Sequence, residues 1–137
     1  MGEVRELVKL TNYDELVLAK RGFLRSEEIH SLTIDALVDT GAVLSVLPLS
    51  VAKQLDLNYS QLVEYANGER EKVPITDVVE IYSQSTNRMA LMECAVLGNE
   101  VILGQIFLER TDLIVNCPGR KIAPNPEHQG QAVVKIK

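Results

Sequence analysis

The chain has 137 residues, 46% of them hydrophobic and 24% charged. That balance fits one soluble globular domain and excludes a disordered, collagen-like or low-complexity chain. With 14 Lys and Arg against 19 Asp and Glu, the net charge is −5, and no long run of like charge suggests a nucleic-acid footprint or a polybasic membrane anchor.

The predicted elements are mostly strands. Residues 4–10 read as a first strand, followed by a polar turn at Thr11-Asn12. Residues 15–19 read as a second strand, broken at Arg21-Gly22. Residues 29–38 form a third, with Leu32, Ile34, Ala36 and Val38 on one face, and it runs straight into Asp39-Thr40-Gly41. A short apolar strand over 43–47 follows, then a helix from Pro48 through Leu55, since proline costs nothing in a first helical turn.

Strands over 62–66 and 69–73 flank Asn67-Gly68, a pair suited to a type I′ hairpin turn because both central residues there need positive φ. Pro74 confines the second of these strands to an edge or an end. Residues 78–82 form a strand, 83–87 a polar turn and 89–97 another strand. The apolar run 101–103 is stopped by Gly104, and 106–110 allows one or two turns of helix. Strands over 113–115 and 121–123 flank the turn Cys117-Pro118-Gly119-Arg120. Residues 124–131 read as a loose tail before a last strand over 133–136. No repeat or linker divides the chain, and the class is mostly β with one short helix or two.

No stretch reaches the ~20 apolar residues of a membrane span; the densest, 36–52, contains Asp39, Ser45, Pro48 and Ser50. The opening residues lack the apolar core of a secretory signal, and two cysteines make no disulfide framework. Both features set the expectation of a reducing, cytoplasmic setting with Cys94 and Cys117 as buried free thiols. His30 and His128 are far apart in sequence with no Cys or acidic cluster at ligand spacing, so no metal and no cofactor is expected. Ser31, Ser45 and Ser50 lack the context of a nucleophile elbow, and Gly98, Gly104 and Gly119 form no phosphate-cradling loop.

One constellation carries chemistry. Asp39 directly follows an apolar strand, where an unpaired buried charge would be costly. Gly41 permits close backbone approach, Thr40 offers a hydroxyl that can tie the loop down, and Ala42 is small enough to sit against a substrate or another chain. An Asp-Thr-Gly tripeptide alone is weak, since it also occurs as an ordinary turn.

Its surroundings resemble the retropepsin-like aspartic proteases over about residues 29–123. Leu37-Val38-Asp39-Thr40-Gly41-Ala42 is similar to that family's active-site loop, and Ser45-Val46-Leu47-Pro48 to the strand after it. The Asn67-Gly68 hairpin lies where a flap is expected, and Val101-Ile102-Leu103-Gly104-Gln105-Ile106-Phe107-Leu108 resembles the segment packed beneath the loop. The spacing from Asp39 to Gly104 suits a single lobe, and the chain is similar to small stand-alone prokaryotic members.

The resemblance implies an all-β fold, a single-lobe closed β-barrel of the acid-protease type, with residues 1–123 as the lobe and 124–137 as a tail offering an interface strand. It implies catalysis by Asp39, Thr40 and Gly41, and substrate contacts from Ala42 and from the flap residues Tyr65, Ala66, Asn67 and Gly68. Ile102, Leu103 and Gly104 would support the loop from below. The mechanism needs two carboxylates sharing a proton, and the chain supplies one Asp-Thr-Gly, so it implies a homodimer acting on a peptide or protein substrate. Two rivals are a silent retropepsin-like dimerisation or peptide-binding module, and an unrelated β-barrel with a chance Asp-Thr-Gly.

Overall fold

The computed structural model describes residues 2–59, 63, 64, 68, 70, 71 and 73–134. Strand β1 (Arg5–Asn12) pairs antiparallel with β2 (Ser31–Val38) on one side and with β6 (Val79–Ser83) on the other. β6 in turn pairs with β7 (Arg88–Met92) through the polar turn expected there. On the far side of β2 come β9 (Ile102–Leu103), β3 (Val46–Leu47) and β8 (Ala95–Val96). The seven strands form one sheet in the order β7-β6-β1-β2-β9-β3-β8.

The fold is mainly β, and its large sheet is a curled half-barrel rather than the closed barrel expected. β7 and β8 remain its two edges. The chain between them turns inward at Cys94, whose N–H donates to Thr76 Oγ1 (3.0 Å) while its carbonyl accepts from Thr76 N–H (2.8 Å). Those bonds replace a continuation of β7, so the strand expected over 89–97 is two short pieces. Side chains close the interior instead: Leu10, Leu47, Leu55, Val79, Ile81, Leu103 and Phe107 are fully buried within one apolar cluster. Burial pushes the Cys94 thiol up to about 12. Cys117, expected buried, is exposed in the turn between β10 (Leu113–Asn116) and β11 (Lys121–Pro124).

Among the described residues three α-helices occur where one or two were expected. α1 (Tyr13–Lys20) replaces the strand expected over 15–19. It has no buried residue, so packing does not select it. Its start does. The Asn12 side chain caps the Glu15 N–H (3.1 Å), Asp14 and Glu15 complement the N-terminal dipole, and Lys20 complements the C-terminal one. α2 (Leu49–Gln54) starts after Pro48 as expected, and α3 (Gln105–Thr111) follows Gly104.

Asn12 is 5% exposed and joins three segments. Its N–H donates to the His30 carbonyl (3.1 Å), and its side-chain NH2 donates to the carbonyls of Leu55 (2.9 Å) and Asp56 (3.2 Å). Asn12→Ala removes a cap and leaves buried carbonyls unpaired, so urea denaturation should register a loss of about 2–3 kcal/mol. A loss below about 0.5 kcal/mol, the scale of an ordinary surface change, would show that water replaces the joint.

The tail expected to be loose over 124–131 is tied down. Asn125 caps a 3₁₀ turn (Pro126–His128), and Arg88 donates to the carbonyls of Thr111, Asp112 and Gly130. The Asp112 carboxylate, at the left-handed cap of α3, accepts from the His128 ring and from the Val133 N–H (2.9 Å). Val133 and Val134 form no strand, and the rest of the strand expected over 133–136 lies outside the described residues.

The hydrogen bond from His128, aided by the one from Val133, holds the Asp112 carboxyl below its ordinary value of 3.8. A depressed carboxyl stabilises the fold above that ordinary value, and the contribution is lost as pH falls through the folded one. Asp112→Asn, a residue that tolerates left-handed backbone, is therefore expected to melt below wild type at neutral pH. That gap should close as the pH drops past 3.8. A gap independent of pH would contradict a latch held by the ionised Asp112 carboxylate.

Candidate active site

Asp39 sits where β2 ends. β2 runs parallel to β9, and β9 runs antiparallel to β3, so the loop over 39–45 leaves β2 and returns as β3 on the far side of β9. The Asp39 N–H donates to the Leu103 carbonyl (3.0 Å), which fixes the start of the loop. The Ala42 N–H donates back to the Asp39 carbonyl (3.1 Å), closing a tight turn. Inside that turn the Gly41 N–H donates to Asp39 Oδ1 (2.8 Å) and orients the carboxylate.

The other half of the loop is held from α3. A helix leaves its first N–H groups without partners of its own. Here the N–H groups of Gln105 and Ile106 donate to the carbonyls of Ala42 (2.8 Å) and Val43 (3.2 Å). Between them Gly104 donates to the hydroxyl of buried Ser45 (3.1 Å). These contacts explain why the strand expected over 43–47 shortens to β3: the carbonyls before it serve the helix rather than a ladder.

Gly104 has φ −99, a conformation open to any residue, so space and not backbone freedom selects glycine. A Cβ there would lie 2.7 Å from the carbonyl oxygens of both Ala42 and Leu44. Leu103 is fully buried beneath the loop and Ile102 is half-buried beside it. Asp39, Thr40 and Gly41 are exposed and Ala42 is half-buried. Two apolar side chains next to them also face solvent, Val43 at 59% and Leu44 at 36% exposure.

The expected residues Asp39, Thr40, Gly41 and Ala42 thus share one loop, with Ile102, Leu103 and Gly104 against it. Sequence reasoning missed the parts played by Ser45 and Gln105. The Gln105 amide nitrogen lies 2.6 Å from the Thr40 carbonyl oxygen. Position alone carried that signal, since Gln105 opens the helix beneath the loop.

The hairpin exists, with β4 (Val63–Glu64) antiparallel to β5 (Arg70–Glu71). Gly68 in its tip is exposed with φ +86. Tyr65, Ala66 and Asn67, the other flap residues, lie outside the described residues.

Three other aspartates have other settings. Asp112 caps α3, Asp77 precedes β6, and Asp56 follows α2 with φ +52. The histidines, expected to have no acidic cluster at ligand spacing, meet acidic partners through the fold: His128 meets Asp112, and His30 meets Glu15 (2.8 Å). Asp56 joins the latter pair, with the ligand atoms of Glu15, His30 and Asp56 within 4.8 Å of one another. Glu15 also accepts the His30 backbone N–H (2.8 Å). His30 and Asp56 are exposed, and the group reads as a hydrogen-bonded joint around Asn12.

A family model described as gag-polyprotein putative aspartyl protease matches residues 27–110. No curated protein matches the chain. Among solved structures, EIAV protease complexed with the inhibitor HBY-793 aligns at a TM-score of 0.46 with 18% identity. That alignment covers 78% of this chain and 86% of that one.

Proposed function

Since this chain belongs to the retropepsin-like family of gag-polyprotein putative aspartyl proteases, we propose that it is a homodimeric aspartic endopeptidase. In this reading the Asp39 carboxylates of two subunits face each other across a two-fold axis. The single observation that carries it is the pinned, solvent-facing Asp39 carboxylate, aimed by the Gly41 N–H and braced from Leu103 and from α3. A scaffold has no need to hold a charged group so firmly at its surface.

Two carboxylates a few ångströms apart cannot both ionise readily, so they share one proton. The ionised one takes a proton from the water between them as its oxygen attacks the peptide carbonyl. The protonated one donates to the developing oxyanion. The resulting tetrahedral intermediate collapses with proton transfer to the leaving nitrogen. The pair titrates as a unit, so its proton belongs to neither subunit. One Asp39 loop per chain makes the dimer a requirement of this chemistry. Exposed Val43 and Leu44 beside the carboxylate favour an apolar peptide segment in the cleft between subunits.

The test is cleavage of a diverse peptide library between mildly acidic and neutral pH, read by mass spectrometry, with wild type and Asp39→Asn in parallel. Cuts made by wild type alone are the expected result. Cuts shared by both proteins would overturn the role of Asp39, and no cuts from a protein shown to be dimeric would leave a binding module.

A further inference from the structure

Gln105 is the first residue of α3, and its backbone N–H is committed to the Ala42 carbonyl (2.8 Å). Its side chain reaches further back along the same loop, to the Thr40 carbonyl oxygen at 2.6 Å. Only the NH2 end of an amide can face a carbonyl oxygen, so chemistry dictates which end points there. The Thr40 carbonyl and the Gly41 N–H are opposite ends of one planar peptide group. That Gly41 N–H is the donor to Asp39 Oδ1 at 2.8 Å. The Gln105 amide, the Thr40–Gly41 peptide and the Asp39 carboxylate are therefore links in one chain of donors and acceptors. Hydrogen bonds in such a chain polarise one another, so a carbonyl that accepts strengthens the N–H of its own peptide as a donor.

We infer that Gln105 is a positioning residue, acting on the Asp39 carboxylate through the Thr40–Gly41 peptide; this rests on the endopeptidase reading. With its carbonyl end anchored, the peptide plane cannot swing, and its N–H stays aimed at Oδ1. The second carboxylate oxygen is then left to the water. Without the anchor, the exposed loop gains a rotation about this peptide, and the carboxylate loses its fixed aim. The Gln105 contact is itself exposed and contributes little to stability, so its removal is read in the chemical step rather than in the melt.

Three variants isolate the effect. Gln105→Leu removes the donor, Gln105→Glu sets a carboxylate oxygen against the carbonyl, and Gln105→Arg restores an N–H donor. Leu and Glu variants should lower kcat about tenfold with KM within about twofold, and Arg should recover most of the loss. Melting temperatures should stay close to wild type. In ¹⁵N-labelled protein the Gly41 amide proton should move upfield and exchange faster in the Leu and Glu variants, and not in the Arg variant. A Gly41 resonance unmoved by Gln105→Leu overturns the relay, as does a kcat loss that follows melting temperature or is not recovered by Arg. If wild type makes no Asp39-dependent cuts, the endopeptidase reading fails, while the Gly41 resonance still decides the relay.

Discussion

Asp39→Asn is expected to lower peptide cleavage by about 10³-fold or more. Asparagine keeps the shape of the side chain, and its carbonyl oxygen can still accept the Gly41 N–H that now ends on Asp39 Oδ1. The loop, pinned from Leu103 and α3, should therefore survive, and melting temperature should change little. What is lost is the ability to take a proton from water and to hand one to the oxyanion, and a symmetric dimer loses it twice. Mixing gives a sharper test. After subunit exchange between equal amounts of wild type and variant, about one quarter of the dimers carry two aspartates. Activity should fall to about that quarter of an all-wild-type sample at the same total protein, whereas a monomeric catalyst would retain about half. Retention of half would overturn the shared site while leaving Asp39 essential.

The parts of this site that were legible in the sequence are those written as local chemistry. The apolar face of β2, with Leu32, Ile34, Ala36 and Val38 at every second position, placed Ala36 and Val38 in the core and delivered Asp39 to its end. Small residues in the loop, and a glycine between an apolar pair and an amphipathic turn, marked the two segments that meet. The parts that were not legible depend on long-range pairing. α1 was read as a strand because Leu16, Val17 and Leu18 look β-like, although the Asn12-x-x-Glu15 spacing of an N-terminal cap was present. Residues 89–97, apolar except for Glu93, look like one strand, yet the inward turn at Cys94 that divides them is set by Thr76, a residue distant in sequence. The carboxylates that meet both histidines are likewise supplied by other elements. A pattern in one segment carries no information about such partners, whereas the β2 and loop signals needed none.

Gly104→Ala should damage stability and activity together, for a reason the backbone makes explicit. The added Cβ would stand 2.7 Å from the Ala42 and Leu44 carbonyl oxygens and 2.9 Å from the Leu44 carbonyl carbon. All three are main-chain atoms, so no side chain can turn aside, and the loop itself must move. Forcing a methyl group into such a contact costs about 1–3 kcal/mol, measurable as a lowered urea midpoint. The displaced segment lies just beyond Asp39, Thr40 and Gly41, and a shift of about 1 Å at a reacting group is worth about 10²-fold in rate. The catalytic loss should therefore exceed what the unfolded fraction explains. Gly98→Ala is the control. Gly98 has φ +71 and open space around it, so alanine there meets strain and no clash. That variant should lose about 1 kcal/mol and keep its rate per folded molecule. If Gly104→Ala cleaved as fast as wild type, the Asp39 loop would not need its close seat on β9 and α3. The pinned carboxylate would then no longer be an argument for catalysis.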